Sequence, residues 1–282
     1  LENGSLARLN SASIRGMRGC HLCTDAEDKY VFVSGYHDGK ATVLSLNPDG
    51  SVGSIVDGVF DKGYGSVAER NFRPHVTCTR RTPDGKYVMS VDNGIDQVRI
   101  YRFTEKEQKL KQVDAIRCDL ESAPRHFRFS ADGRFIYLIY ELKTKIDVFS
   151  YKTGERAPII EKIQTVSTTS TENPGVMTAA CAMRLSWDQK YLYCSNAGEN
   201  TVSVFSRDEE TGLLTRLCCL PVSGEYPKDI AVFPDSRHIV SVNHESGSLS
   251  FFTVDYEKGL MVMSGRSIPV NEPNCCAIVK IR

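Results

Sequence analysis

The residues with the most chemistry to offer are Arg125 and Glu141, each eight positions from Gly133. Asp132-Gly133 supplies the positive-φ geometry of a tight hairpin turn. Residues equidistant from the centre of such a turn face each other across the two antiparallel strands. Arg125 and Glu141 are therefore expected to be cross-strand partners. The same rule sets Cys20 opposite Tyr36, Thr77 opposite Asn93, Cys181 opposite Ala197 and Lys228 opposite His244. His75 lies two residues before Thr77, on the same side of its strand, and Asn274 falls at the level of Lys228 in a similar C-terminal run. A ring holding Arg125, Lys228, His75, His244 and Glu141 can bind an anion and offers acid–base groups. Plainer roles exist for each. Arg125 and Glu141 can be a cross-strand ion pair, His75 a satisfied loop histidine, Lys228 and His244 solvated side chains, and Asn93, Asn196 and Asn243 turn formers.

These residues need elements to carry them, and the chain repeats. Glu27-Asp28-Lys29-Tyr30, Asp84-Gly85-Lys86-Tyr87, Asp132-Gly133-Arg134-Phe135, Asp188-Gln189-Lys190-Tyr191 and Asp235-Ser236-Arg237-His238 end 57, 48, 56 and 47 residues apart. A short strand precedes each turn, as in His75 to Arg81 or Lys228 to Phe233. A β-rich run follows, as in Phe135-Ile-Tyr-Leu-Ile139, then a polar hairpin, a third strand such as Thr201 to Ser206, and a more polar fourth such as Leu213 to Leu220. No run of ten or more residues carries a helical period, so the chain reads as all-β. Four strands per repeat of this length describe a propeller blade. The Gly-His and Trp-Asp words of WD40 blades are absent. Leu6 to Ile14 reads as a lone outer strand and Pro273 to Ile281 as a lone inner one. The expectation is a single domain over 1–282 of five complete blades plus two terminal strands.

Composition narrows the function classes. Lys plus Arg and Asp plus Glu both number 35, giving zero net charge, which argues against nucleic acid as a partner. No apolar stretch approaches the roughly 18 residues of a membrane helix. The ten cysteines read as reduced, small apolar residues of a cytoplasmic chain. Cys20-His21-Leu22-Cys23 resembles half a metal site, but no second half completes it, so neither metal nor cofactor is expected.

Particular words within the repeat carry a resemblance. Asn93-Gly-Ile-Asp-Gln-Val-Arg-Ile-Tyr-Arg-Phe103, Ala123-Pro-Arg-His-Phe127, Tyr140-Glu-Leu142, Leu192-Tyr-Cys-Ser-Asn196 with Thr201-Val-Ser-Val-Phe205, and Val242-Asn243 are similar to the seven-bladed β-propeller lactonase family. That family includes propeller-type 6-phosphogluconolactonases and fungal carboxy-muconate cyclases. The resemblance implies 28 strands where this sequence shows 22, so the chain is expected to lack an N-terminal portion of roughly 70 residues. It also implies a lactonase opening a sugar-acid lactone such as 6-phosphogluconolactone. Glu141, Arg125 and His75 would be catalytic, and Lys228, His244, Asn93 and Asn274 would bind the substrate. Opening a lactone requires a base to activate water, met by Glu141 or His75, and a cation for the developing oxyanion, met by Arg125 or Lys228. Two other readings are a lactonising isomerase of the muconate-cyclase kind and a non-catalytic propeller binding a sugar acid or a protein. The sequence departs from the family pattern at Thr77, where a histidine is common, at Ala197, where an arginine is common, and at Ala182, where a glutamate is common.

Overall fold

A computed structural model describes residues 5–66, 71–170 and 177–279. They divide into two compact units, one of 1–133 with 151–160, the other of 134–150 with 161–280. Among the described residues there is no helix.

Unit 1 holds two antiparallel four-stranded sheets. The first runs in chain order through β1 (Gly19–Thr24), β2 (Tyr30–Gly35), β3 (Lys40–Leu46) and β4 (Val52–Phe60). The second runs through β5 (Val76–Arg81), β6 (Tyr87–Asp92), β7 (Gln97–Arg102) and β8 (Lys111–Arg117). A third group, β9 (Pro124–Phe129), β10 (Phe135–Tyr140), β11 (Lys145–Lys152) and β12 (Ile159–Ser167), is shared between the units. Its central pair, β10 with β11, lies in unit 2 and registers Phe135 with Ser150 through Tyr140 with Lys145. Unit 2 also holds the sheet β13 (Ala179–Leu185), β14 (Tyr191–Ala197), β15 (Thr201–Arg207), β16 (Leu214–Pro221) and the sheet β17 (Pro227–Val232), β18 (His238–Asn243), β19 (Ser248–Asp255), β20 (Leu260–Met263). The two-residue β21 (Ile268–Pro269) also pairs with β19. The four-strand meander expected from the repeat is therefore present.

The repeated turn words have a common physical cause. The turn carboxylate takes hydrogen bonds that close the hairpin: Asp84 Oδ1 from Thr82 Oγ1 at 2.6 Å, Asp188 Oδ1 from Ser186 Oγ at 2.6 Å and Asp235 Oδ1 from the His238 N–H at 3.0 Å. The next residue takes positive φ, at Gly85 (68°) and Gly133 (72°), and also at Asp28, Gln189 and Ser236. In the first turn Asp25 does the capping, accepting the N–H groups of Lys29 and Tyr30, while its other oxygen pairs with Arg81 at 2.8 Å.

The second strand of each sheet is almost wholly buried. Tyr30, Phe32, Val43, Val88, Tyr101 and Phe103 form one apolar cluster in unit 1. In unit 2 Phe135, Tyr137, Ile139, Met183, Leu192 and Phe205 belong to another.

Two expectations fail at the chain ends. Residues 5–14 form no strand, and neither do 273–279; the last two residues of the expected C-terminal strand lie outside the described residues. A strand exists by virtue of its ladder, and these runs are held by side chains instead. Asn10 donates to the Val52 carbonyl at 2.7 Å and accepts its N–H at 2.9 Å. Asp229 Oδ2 accepts the Cys276 N–H at 3.1 Å.

In unit 2 a buried polar chain links turns to core. Arg207 Nε donates to the Tyr137 hydroxyl at 2.8 Å, which donates to the Gly212 carbonyl at 2.9 Å. Gly212 sits at φ 74°, and a methyl there would overlap the Phe135 ring. Gly212→Ala is expected to cost about 2–4 kcal/mol from left-handed strain and overpacking, read as a lowered midpoint in urea unfolding.

Candidate functional site

Four inner hairpins depart from the symmetry that their turns suggest. In β1–β2, Gly19 pairs with Gly35 and His21 with Ser34, leaving Cys20 as an extra residue. In β5–β6, Val76 pairs with Asp92 and Cys78 with Val91, leaving Thr77. In β17–β18, Pro227 pairs with Asn243 and Asp229 with Val242, leaving Lys228. In β13–β14 the slip falls between Ala180 and Met183. The expected pairings of Cys20 with Tyr36, Thr77 with Asn93, Cys181 with Ala197 and Lys228 with His244 are thus corrected. A bulge absorbs one residue of the inner strand at the same level in all four hairpins. A bulged residue leaves the ladder and its side chain is re-aimed. Arg125 is the second residue of β9, as Thr77 is of β5 and Lys228 of β17.

In unit 1 these residues meet. The Thr77 hydroxyl donates to the Arg125 carbonyl at 2.5 Å, and Cys20 Sγ lies 3.4 Å from the Val76 carbonyl oxygen. Burial pushes the Cys20 thiol up to about 11, against a lowering by Arg125.

His75, immediately before β5, is 4% exposed. Its ring stacks on Tyr36 with centroids 4.1 Å apart and meets Phe72 edge-on. Its Nδ1 is 2.7 Å from the Tyr36 carbonyl oxygen. A carbonyl only accepts, so Nδ1 carries the proton and Nε2 of the neutral ring is a bare lone pair. Burial holds the His75 pKa below its ordinary value; the bond to Tyr36 raises it, and Arg73 and His37 lower it further. The backbone is gripped as well: the His75 N–H donates to Asp92 Oδ1 at 2.8 Å and its carbonyl accepts the Asn93 N–H at 2.9 Å.

Asn93 itself is 2% exposed. Its amide lies 3.5 Å from the Ala123 carbonyl oxygen, and its own carbonyl accepts from Asn71 at 2.7 Å. These bonds hold loops together. Asn196 and Asn243 do the same in unit 2, through Thr168 and Thr201 and through Ser248 and Ser250.

Unit 2 brings three further candidates together. Lys228 Nζ donates to Asn274 Oδ1 at 2.6 Å, and His244 Nδ1 donates to the carbonyl of the adjacent Pro273 at 3.1 Å. Glu141 follows β10, is 7% exposed, and its carbonyl accepts the Ala180 N–H at 3.1 Å. Arg125 falls in unit 1 and Glu141 in unit 2.

All ten cysteines are free thiols. Among the described residues no group of His, Cys, Asp and Glu is arranged to hold a metal ion, and no helix is long and apolar enough to cross a membrane. Reading the sequence missed Asp92 and Asp61, which stand behind His75. The available signal was an aspartate ending the otherwise apolar run Tyr87-Val-Met-Ser-Val-Asp92.

The chain matches the family model described as lactonase, 7-bladed beta-propeller, over residues 1–278. It is 27% identical over 275 residues to a 6-phosphogluconolactonase of Bacillus subtilis, covering 97% of this chain and 77% of that protein. Among solved structures it resembles a protein from Lactobacillus plantarum (TM-score 0.85, 28% identity, 95% of this chain and 76% of that one). It also resembles the periplasmic gluconolactonase of Pseudomonas aeruginosa (TM-score 0.81, 28% identity, 90% and 70%).

The His75 geometry has a measurable consequence. A nitrogen-15 titration should show the Nδ1–H tautomer and a midpoint below 6.5. Because the folded state binds this proton less readily than the unfolded chain, stability should fall as pH drops through about 6.5.

Proposed function

Because this chain belongs to the seven-bladed β-propeller lactonase family, we propose that it hydrolyses the lactone of a sugar acid, with 6-phosphogluconolactone the first substrate to test. The observation that carries this reading is the state of His75. Its Nδ1 proton is committed to the Tyr36 carbonyl, its ring is held neutral, and Nε2 makes no hydrogen bond among the described residues. That is the form required of a general base near neutral pH.

Hydrolysis begins with water attacking the lactone carbonyl carbon while a base removes a proton. The carbonyl oxygen becomes an oxyanion, and the ring oxygen leaves as a hydroxyl after protonation. His75 or Glu141 takes the proton from water and returns it to the leaving oxygen. Arg125 stabilises the oxyanion or the substrate's anionic group, its planar fork suiting either. Lys228, oriented by Asn274, adds positive charge for a phosphate or carboxylate, and His244 lies near it through Pro273. Asn93 acts through the loops that it holds. The relatives named as gluconolactonase and 6-phosphogluconolactonase support this substrate class.

The test is a lactone hydrolysis assay on purified protein beside a thermal melt. Glu141→Gln is expected to lower kcat by about a hundredfold or more while leaving the melt nearly unchanged. Arg125→Ala is expected to raise KM and lower kcat together. Normal kinetics with lowered melting temperatures in both variants would retire the catalytic roles and leave only structural ones.

A further inference from the structure

We propose that Asp92 is a protonated carboxyl that donates to Asp61 through one oxygen and positions His75 through the other. Asp92 closes β6 and is fully buried. Its Oδ1 accepts the His75 N–H at 2.8 Å and the Gly94 N–H at 2.9 Å. Asp61 follows β4 and is 6% exposed. Its Oδ1 accepts the Tyr101 hydroxyl at 2.9 Å and lies 3.5 Å from Arg99 Nη1. What remains is Oδ2 of each. Both atoms are shut off from solvent, and neither meets an N–H or a hydroxyl donor. The β6–β7 register sets Asp92 on the same face as Arg99 and Tyr101, the two groups that hold Asp61, and each carboxyl acts on the ionisation of the other. Two bare carboxylates cannot hydrogen-bond, because neither has a proton to give. One shared proton satisfies both oxygens and removes one of two buried negative charges.

The surroundings decide which member keeps it. Asp61 faces a guanidinium and a phenol, both on β7, which favour its ionised form. Asp92 faces two backbone N–H groups and the neutral His75 from the segment before β5. Burial first, and then the Asp61 charge, push the Asp92 pKa up to about 8. Asp61 is also raised by burial, against lowering by Arg99 and Tyr101. Asp92 hydrogen-bonds the backbone N–H of His75 and not its ring. It fixes the His75 N–H while the next residue, Asn93, fixes the His75 carbonyl. Asp92 is therefore a positioning residue, and only the activity arm of its test rests on the proposed role of His75.

Linkage gives the inference a signature. In the unfolded chain Asp92 titrates near 3.8. The folded protein then holds an extra proton between about pH 4 and pH 8. Its contribution to stability is full below about pH 4, declines across that window and is gone above pH 8. Asp92→Asn copies the protonated carboxyl: the amide oxygen accepts from His75 and Gly94, the NH2 donates to Asp61, and nothing titrates.

The experiment compares wild type, Asp92→Asn and Asp92→Ala by thermal melts from pH 4 to pH 9, by His75 imidazole NMR and by lactone hydrolysis. The melting temperature of Asp92→Asn minus that of wild type should rise with pH up to about 8 and then level off. Asp92→Asn should keep the His75 tautomer signal, and Asp92→Ala should shift it. The kcat of Asp92→Ala should fall at least about tenfold below that of Asp92→Asn. A melting difference independent of pH overturns the shared proton. A His75 signal displaced equally in both variants, or in neither, overturns the positioning role. If Asp92→Ala does not fold, Asp92→Asn against wild type still decides through the melts and the NMR signal. If wild type does not open the lactone, the proposed activity fails while the melts and NMR still judge this inference.

Discussion

A one-residue bulge at the second position of the inner strand governs how this protein presents chemistry. Backbone pairing would otherwise send alternate side chains to opposite faces of each sheet, where the neighbouring apolar clusters lie. The bulge leaves the residues after it in a continuous ladder and frees one residue at the strand's start. That residue is Cys20, Thr77 or Lys228 in three hairpins whose later pairs run unbroken to the turn. The freed residue is exposed at Cys20 and half-buried at Thr77 and Lys228. Variation there can alter the site without disturbing the core.

Behind the freed positions the polar groups form chains that end on backbone. In unit 1 the sequence of contacts runs from the Tyr36 carbonyl to the His75 ring, then from the His75 N–H to Asp92, on to Asp61, and out to Tyr101 and Arg99. Every link but one is a conventional donor and acceptor. The exception is the meeting of two carboxyls, and a buried polar chain is costly wherever a link is unsatisfied. One retained proton makes the chain complete, which is why the protonation of Asp92 and the placing of His75 are a single question. Asp96 shows the contrasting solution close by. It is buried too, but it accepts the N–H groups of Glu121 and Ala123 and the hydroxyl of Ser122.

The repeat was legible because its signal is local. An aspartate capping a turn and a residue at positive φ act over five residues, so they can be read without tertiary knowledge. The strands that follow them start where the pattern puts them, at Tyr30, Tyr87, Phe135, Tyr191 and His238. The bulges were not legible. They insert no special residue type, since Cys20, Thr77 and Lys228 share no chemistry, and they add a second residue of offset to pairs that already run one residue short of the equidistance rule near the turn, such as Thr24 with Val31 and Arg81 with Val88. The Asp61–Asp92 pair was hidden for another reason. The partners stand 31 positions apart, Asp61 outside any strand, and only the assembled first two sheets bring them together. The chain ends misled because an alternating pattern cannot reveal whether a partner strand lies beside it.

The departures from the family pattern become coherent in this light. Thr77 replaces a group able to titrate with one that cannot near neutral pH, yet its hydroxyl ties the Arg125 carbonyl at 2.5 Å. The position thus anchors the backbone of a candidate catalytic residue, and the only imidazole left in the segment Pro74 to Thr77 is His75. In unit 2, Ala182 and Ala197 are each 2% exposed, and Ala182 packs within an apolar cluster with Tyr193, Val202 and Ile230. Removing one member of a buried charged pair strands the other at high cost, whereas replacing both with apolar groups can be neutral. The double absence of charge at these positions therefore leaves the β13–β14 hairpin without an uncompensated ion. Lys228, the candidate cation of that unit, has its ammonium held by Asn274 instead.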